Sequence, residues 1–204
     1  MSTIKNIDGP KDFVFRVLSG VAIGIVAGLV PNAILGEIFK YLIQYQPIFK
    51  TLLGVVQAIQ FTVPALIGAL IAMKFNLTPL AIAVVASASY VGSGAAQFKN
   101  GVWIIAGIGD LINTMITAAI AVLFILLIEE RVGSMALIIF PTIVGDLSAT
   151  IGIFTLPYVR LITTGIGNML NSFTELQPVL MSMLISMVFS FIIISPLSTV
   201  AIAM

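Results

Sequence analysis

Apolar positions dominate the chain, and rare charges divide it into segments. Residues 13–30 carry no charge except Arg16, and Lys5, Lys11 and Arg16 gather near the start of that run. It predicts a first membrane helix whose basic end faces the cytoplasm by the positive-inside rule. Between Lys50 and Lys74 no residue is charged, so residues 51–73 predict a second span, long enough for a hydrocarbon layer of about 30 Å. The stretch from Lys74 to Lys99 is also free of charge, but Asn76 and Pro79 open it and Gly92, Ser93 and Gly94 close it. The apolar part left, residues 80–91, suits a re-entrant or tilted segment better than a plain span. Residues 102–128 follow, interrupted by Asp110 and ended by Glu129, Glu130 and Arg131. Residues 135–157 hold Asp146, residues 161–174 are short and rich in Gly and Asn, and residues 178–204 are broken by Pro196. The expected architecture is all-α: a polytopic membrane helix bundle of six or seven segments, some of them re-entrant or broken.

One stretch has a different rhythm. Across residues 32–45 the apolar positions Ile34, Leu35, Ile38, Tyr41, Leu42 and Tyr45 follow one helical face, while Glu37, Lys40 and Gln44 share the other. Pro31 suits the first turn of such a helix. The pattern fits a helix lying in the membrane plane, or a loop helix packed on the protein.

Two passages echo each other. Gly107, Ile108, Gly109, Asp110, Leu111, Ile112, Asn113 and Thr114 resemble Gly165, Ile166, Gly167, Asn168, Met169, Leu170, Asn171 and Ser172. A longer echo starts at Gln46–Pro47 and again at Gln177–Pro178, and its copies end Ile71-Ala72-Met73 and Ile202-Ala203-Met204. Internal repeats of this kind occur in secondary transporters, with the solute site between them at mid-membrane. In the second copy the counterpart of residues 80–128 would be missing. The chain is therefore expected to be a single transmembrane domain, residues 1–204, forming the N-terminal part of a longer one.

Composition sharpens the class. Of 204 residues, 60% are hydrophobic and 8% charged, against about 25% charged in a soluble domain. So few ionised groups cannot cover a soluble protein's surface, and a nucleic-acid binder would need a basic face. There is no cysteine and no histidine. That removes disulfides, thiolate or imidazole metal sites, and Ser-His or Cys-His catalysis. No catalytic residue, metal site or cofactor is expected.

Polar residues inside the apolar segments carry the candidate chemistry, because an ionised group in a bilayer is costly unless it faces protein or water. Asp110 leads, with Asn113, Thr114 and Thr117 at spacings of three, four and seven on the same helix face. Gly107 and Gly109 before it permit an unwound backbone whose free carbonyls and amides can hold a polar solute. Asp146 follows, with Thr150 one turn on. Gln57 and Gln60 form a third set ahead of Pro64, and Asn168 and Asn171 sit on the second Gly-x-Gly element. Each also has a plainer role: Asp110 and Asp146 at a membrane boundary, Gln57 and Gln60 in bonds between helices. Gly20, Gly24 and Gly28, four apart, predict close helix packing within the chain or in a homodimer. Trp103 beside Lys99 fits an aromatic anchor at the membrane interface.

The stretch Phe15 to Lys40 (FRVLSGVAIGIVAGLVPNAILGEIFK), the Val91 to Gln97 stretch (VGSGAAQ) and the Gly-Ile-Gly elements resemble a bacterial family, the phosphotransferase-system EIIC-like membrane proteins of the EIIC type 2 group. The resemblance covers most of the chain and implies a sugar permease of the bacterial plasma membrane, working as a dimer. It further implies soluble EIIB and EIIA partners that carry the phosphoryl group. It places no site residue; those above come from polarity. The functional expectation is a permease for a small polar solute, a sugar, in the lipid bilayer. A neutral polyol suits carboxylates and amides. The alternative is a membrane scaffold or a regulatory, lipid-binding protein that transports nothing.

Overall fold

A computed structural model describes residues 9–174 and 182–183. They form helices joined by turns and loops, with one two-stranded hairpin. Compact packing divides the chain into two units, residues 1–156 and 157–204.

Helix α1 spans Pro10–Leu42. Pro10 occupies its first turn, where a missing N–H costs nothing, and Asp12 pairs with Arg16 at 2.8 Å. Sequence suggests that Pro31 begins a separate helix; instead it lies inside α1. It removes one backbone bond, and the helix formers on both sides carry the helix through. The amphipathic stretch of residues 32–45 is thus mostly the end of α1. Ile34, Ile38, Tyr41 and Tyr45 are exposed, and Glu37 and Lys40 pair at 2.6 Å. The Tyr45 hydroxyl lies 3.3 Å from that of Tyr41, a hydrogen bond that pushes the Tyr45 phenol above its ordinary pKa.

The expected span over residues 51–73 is broken. Helices α2 (Ile48–Gln60) and α3 (Val63–Lys74) meet at a bend of 43°. Pro64 lies in the first turn of α3 and cannot donate back across the break. The Thr62 hydroxyl donates to the Ile59 carbonyl at 2.7 Å. Helix α3 lies antiparallel on α1, with Gly20 against Ile71, Gly24 against Ile67 and Gly28 against Val63. The four-residue glycine ladder meets a four-residue ladder of β-branched side chains, and all three of those are fully buried. The glycine face thus packs within the chain. Arg16 reaches the far end of α3: its guanidinium donates to the Lys74 carbonyl at 3.3 Å and lies 5.8 Å from the Phe75 ring centroid.

Helix α4 spans Pro79–Gly92, with Thr78 as its cap. Fourteen residues rise only about 21 Å, so α4 falls short of a span, as expected for this stretch. A hairpin follows: β1 (Ala96–Lys99) pairs antiparallel with β2 (Val102–Ile105). Asn100 and Gly101 form its turn, both with positive φ, 51° and 80°. That is the requirement of a type I′ turn, which glycine and asparagine meet at least cost. Helix α5 (Leu111–Val132) then runs to Gly133. A short 3₁₀ turn, helix α6 (Ala136–Ile139) and a π-helical segment (Phe140–Gly145) lead into α7 (Asp146–Thr174). Residues 161–174, set apart in the sequence, belong to α7, which continues through Pro157.

Among the described residues two helical stretches are long and apolar enough to cross a membrane, Pro10–Leu42 and Leu111–Asn168, or three if α2 and α3 count as one bent span. Within the described residues α4 is short and α2–α3 is bent, and the six or seven segments expected take in residues 178–204 as well. Residues 178–204 lie largely outside the described residues. The core of the first unit joins α1, α3, α4, α5 and the π-helical segment through Val17, Ile67, Ile71, Phe75, Val85, Val122, Ile125 and Phe140.

Candidate functional site: the α4–α5–α7 junction

Asp110 caps α5. Its carboxylate accepts from the Asn113 backbone N–H at 2.9 Å, occupying one of the four unpaired N–H groups that open any helix. The approach is tight. The Asp110 N–H donates to the Ser93 carbonyl at 2.9 Å. At Gly109 (φ 70°) an added Cβ would sit 2.5 Å from the Ser93 hydroxyl oxygen and 2.9 Å from its carbonyl. Only glycine fits both the backbone angle and the gap.

The face anticipated for Asp110, Asn113, Thr114 and Thr117 exists, and the last three are fully buried. The Thr114 hydroxyl donates to the Asp110 carbonyl (2.7 Å) and the Thr117 hydroxyl to the Asn113 carbonyl (2.8 Å). Asn113 alone reaches across helices. Its amide nitrogen donates to the Gly92 carbonyl at the end of α4 (2.6 Å) and to the Gly152 carbonyl in α7 (2.8 Å). Its amide oxygen accepts from the Thr155 hydroxyl at 2.8 Å. Both donors and the acceptor of one side chain are therefore engaged, which is what a buried amide in low dielectric requires.

Glycine makes that convergence possible. A Cβ on Gly92 would meet the Thr117 side chain at 2.6 Å, and one on Gly152 would meet Thr117 and, at 2.7 Å, the Gly92 backbone. Helices α4 and α7 meet backbone to backbone, and the Thr117 side chain of α5 lies against both glycines. Ser93 closes the junction: its hydroxyl donates to the Tyr90 carbonyl and accepts from the Ala95 N–H. Polarity and spacing do not single out Gly92, Gly152 and Thr155 as site residues. The available signal is the small-residue stripe Gly145, Ser148, Ala149 and Gly152 at helical spacing. Ser148 on that stripe is fully buried, and its hydroxyl has no hydrogen-bond partner among the described residues.

The other candidates stand elsewhere. Gln57 is exposed and Gln60 half-buried on α2, which packs on α1. Asp146 is exposed at the start of α7, where its carbonyl accepts from Thr150 at 2.7 Å. Asn168 is exposed in the second unit, and the Asn171 side chain lies outside the described residues. Asp110 and Asn113 are thus adjacent, and the Asn113 amide takes its partners from Gly92, Gly152 and Thr155 rather than from Gln57, Gln60 or Asp146. Among the described residues no three acidic, His or Cys side chains gather as a metal site would need.

With the junction's geometry in place, comparison with known families is decisive. The family model described as phosphotransferase system, EIIC, matches residues 15–204. The chain belongs to that family. No curated protein and no solved structure matches it. An EIIC protein is a membrane component of the sugar phosphotransferase system, in keeping with the long apolar helices found here.

Proposed function

We propose that this EIIC chain is the sugar-conducting permease, and that the Asp110–Asn113 junction forms part of the sugar's path. The family match over residues 15–204 carries the permease reading. Three features of the junction support its place in the path. It holds three fully buried polar residues of one helix face, Asn113, Thr114 and Thr117. It pairs a carboxylate with an amide, groups that accept from and donate to neutral hydroxyls. It also lies where α4 stops short and non-helical backbone with positive φ at Gly107 and Gly109 leads into α5, a setting comparable to the unwound segments of transporters. In this conformation Asn113 bonds helix carbonyls; during transport a sugar's hydroxyls take over those bonds as α4 and α7 part. Asp146, Gln57, Gln60, Asn168 and Asn171 belong to the wider solute path. The chain works as a homodimer in the bacterial plasma membrane with its N-terminus in the cytoplasm, the side that holds Lys5, Lys11 and Arg16.

One observation favours the other reading, a scaffold that transports nothing: the Asn113 amide is already saturated by protein groups. Reconstitution in liposomes with the soluble phosphoryl carriers, and uptake of labelled hexoses, hexitols and disaccharides, separates the two. A permease accumulates one of these in a phosphoryl-dependent way. Asp110→Asn then lowers uptake roughly tenfold or more while leaving the protein folded, the loss of one charge-assisted hydrogen bond. Uptake of none of them, with all carriers present and active, assigns the chain to the scaffold class. Uptake unchanged in Asp110→Asn removes Asp110 from the path but keeps the permease.

A further inference from the structure

The β1–β2 hairpin has no place in the sugar path proposed above, and its surface chemistry is unusual. Its register sets Phe98 opposite Trp103 and Ala96 opposite Ile105 on one face, with Gln97 opposite Ile104 and Lys99 opposite Val102 on the other. The Phe98 and Trp103 rings pack tilted, 5.4 Å between centroids and 54° between planes. Yet Phe98, Val102, Trp103, Ile104 and Ile105 are all exposed, from 42% to 61%. On the first face Phe98, Trp103 and Ile105 form an exposed apolar cluster, a surface that something covers.

The position of the hairpin limits what that is. From Leu111 to Ile128 helix α5 carries no charge, and Asp110 and Glu129 bound that run. Its 18 residues rise about 27 Å, close to the hydrocarbon thickness of about 30 Å. The start of α5 therefore lies at one membrane boundary and Glu129 at the other. Only residues 106–109 separate β2 from the Asp110 cap, so the hairpin sits at the boundary where α5 begins. The opposite boundary holds the first turns of α1. There an apolar cavity of about 440 Å³ is lined jointly by Gly9, Pro10, Phe13 and Val14 and by Leu123, Leu126 and Leu127.

Depth follows from the backbone. A two-stranded sheet leaves one row of N–H and C=O groups unpaired on each outer edge. Hydrocarbon cannot satisfy them, and bulk water leaves the aromatic face uncovered. The headgroup–acyl boundary satisfies both. Tryptophan and phenylalanine rings sit there with the ring body in the acyl layer, and the Lys99 ammonium next to the turn matches lipid phosphate. We infer that the β1–β2 hairpin is a lipid anchor: its Phe98–Trp103 face lies in the headgroup–acyl boundary of the membrane surface opposite the start of α1, with Lys99 at the phosphate level.

The sequence supplies its own probes, because Trp103 is the single tryptophan and the chain has no cysteine. The unmodified full chain in liposomes is read by Trp103 fluorescence with lipids brominated at shallow or deep acyl positions and with aqueous acrylamide. The expected result is emission shifted to the blue of tryptophan in water, strong loss of intensity with shallow bromines, weaker loss with deep ones, and protection from acrylamide. Water-like emission quenched by acrylamide overturns the inference, since the face is then solvated. Blue emission that no brominated lipid quenches also overturns it, since protein then covers the face, a second copy included. Strongest quenching by deep bromines overturns the boundary placement. A second measurement tests sidedness: Lys99→Cys and Lys11→Cys, labelled singly by a membrane-impermeant maleimide, are expected to react from opposite faces. Reaction of both from one face overturns the placement relative to α1.

Discussion

The α1–α3 joint and the α4–α5–α7 joint close the same unit by opposite chemistry. In the first, Gly20, Gly24 and Gly28 give up their side chains so that Ile71, Ile67 and Val63 can lie against bare backbone. The contacts along the glycine ladder are apolar, with the Arg16 bond to the Lys74 carbonyl only at the end of α3, and in lipid such a contact is held by dispersion and shape. In the second, glycines again let backbones meet, but the contact is tied by one amide with three partners. Lipid removes the hydrophobic drive between helices, so each joint needs a different substitute for it. The dry joint tolerates no added volume. The polar joint tolerates no missing donor.

Substitutions at five positions separate these vulnerabilities, each read by loss of folded, monodisperse protein and by the midpoint of unfolding in detergent. Gly24→Leu has the largest expected effect. Even a first carbon at that site falls 2.6 Å from the Ile67 side chain and 2.8 Å from its Cα. Folded protein is expected to be lost, while Gly24→Ala costs about 1–3 kcal/mol, as overpacking does. Ile67→Ala removes the Cγ1 carbon that the new methyl meets, so in the alanine background it should cost less than it does alone; full additivity would argue for a backbone origin. Asn113→Leu comes next. It leaves the Gly92 and Gly152 carbonyls without their side-chain donor and the Thr155 hydroxyl without its amide acceptor, at about 1–3 kcal/mol. A wild-type midpoint would mean that the amide contributes nothing to the junction. Asp110→Ala removes the α5 cap and should cost about 0.5–2 kcal/mol. Thr155→Val removes one donor to Asn113 and should cost about 0.5–1.5 kcal/mol. Combined with Asn113→Leu, it should add less than its cost alone, since both substitutions break the same bond. Full additivity would dissolve the network.

The two Gly-x-Gly passages show where sequence stops. Residues 107–114 and 165–172 share wording, yet the first is an unwound entry with positive φ at Gly107 and Gly109, and the second continues α7. Their local propensities are alike. What differs is the neighbourhood: the Ser93 carbonyl receives the Asp110 N–H, and the hairpin delivers the chain there. The expected repeat is therefore not matched by a repeated local structure at this echo. The hairpin interrupts an otherwise all-α expectation, although Asn100–Gly101 between apolar residues is a strong turn signal. Pro31 and Pro157 point the other way. Each reads as a boundary in sequence, and each lies inside a helix that packing and flanking residues keep intact.

Composition and periodicity alone determined that this chain lives in a membrane, that it is helical, that Gly20, Gly24 and Gly28 form a packing face and that Asp110, Asn113, Thr114 and Thr117 share another. Those properties depend on counts and spacing, which the chain carries with it. Tertiary structure decided which partners those faces meet: β-branched side chains of α3 for the glycines, and the carbonyls of Gly92 and Gly152 for Asn113. Spacing orients a side chain around its own helix axis, whereas the identity of what it touches depends on segments dozens of residues away, brought close only when the helices pack.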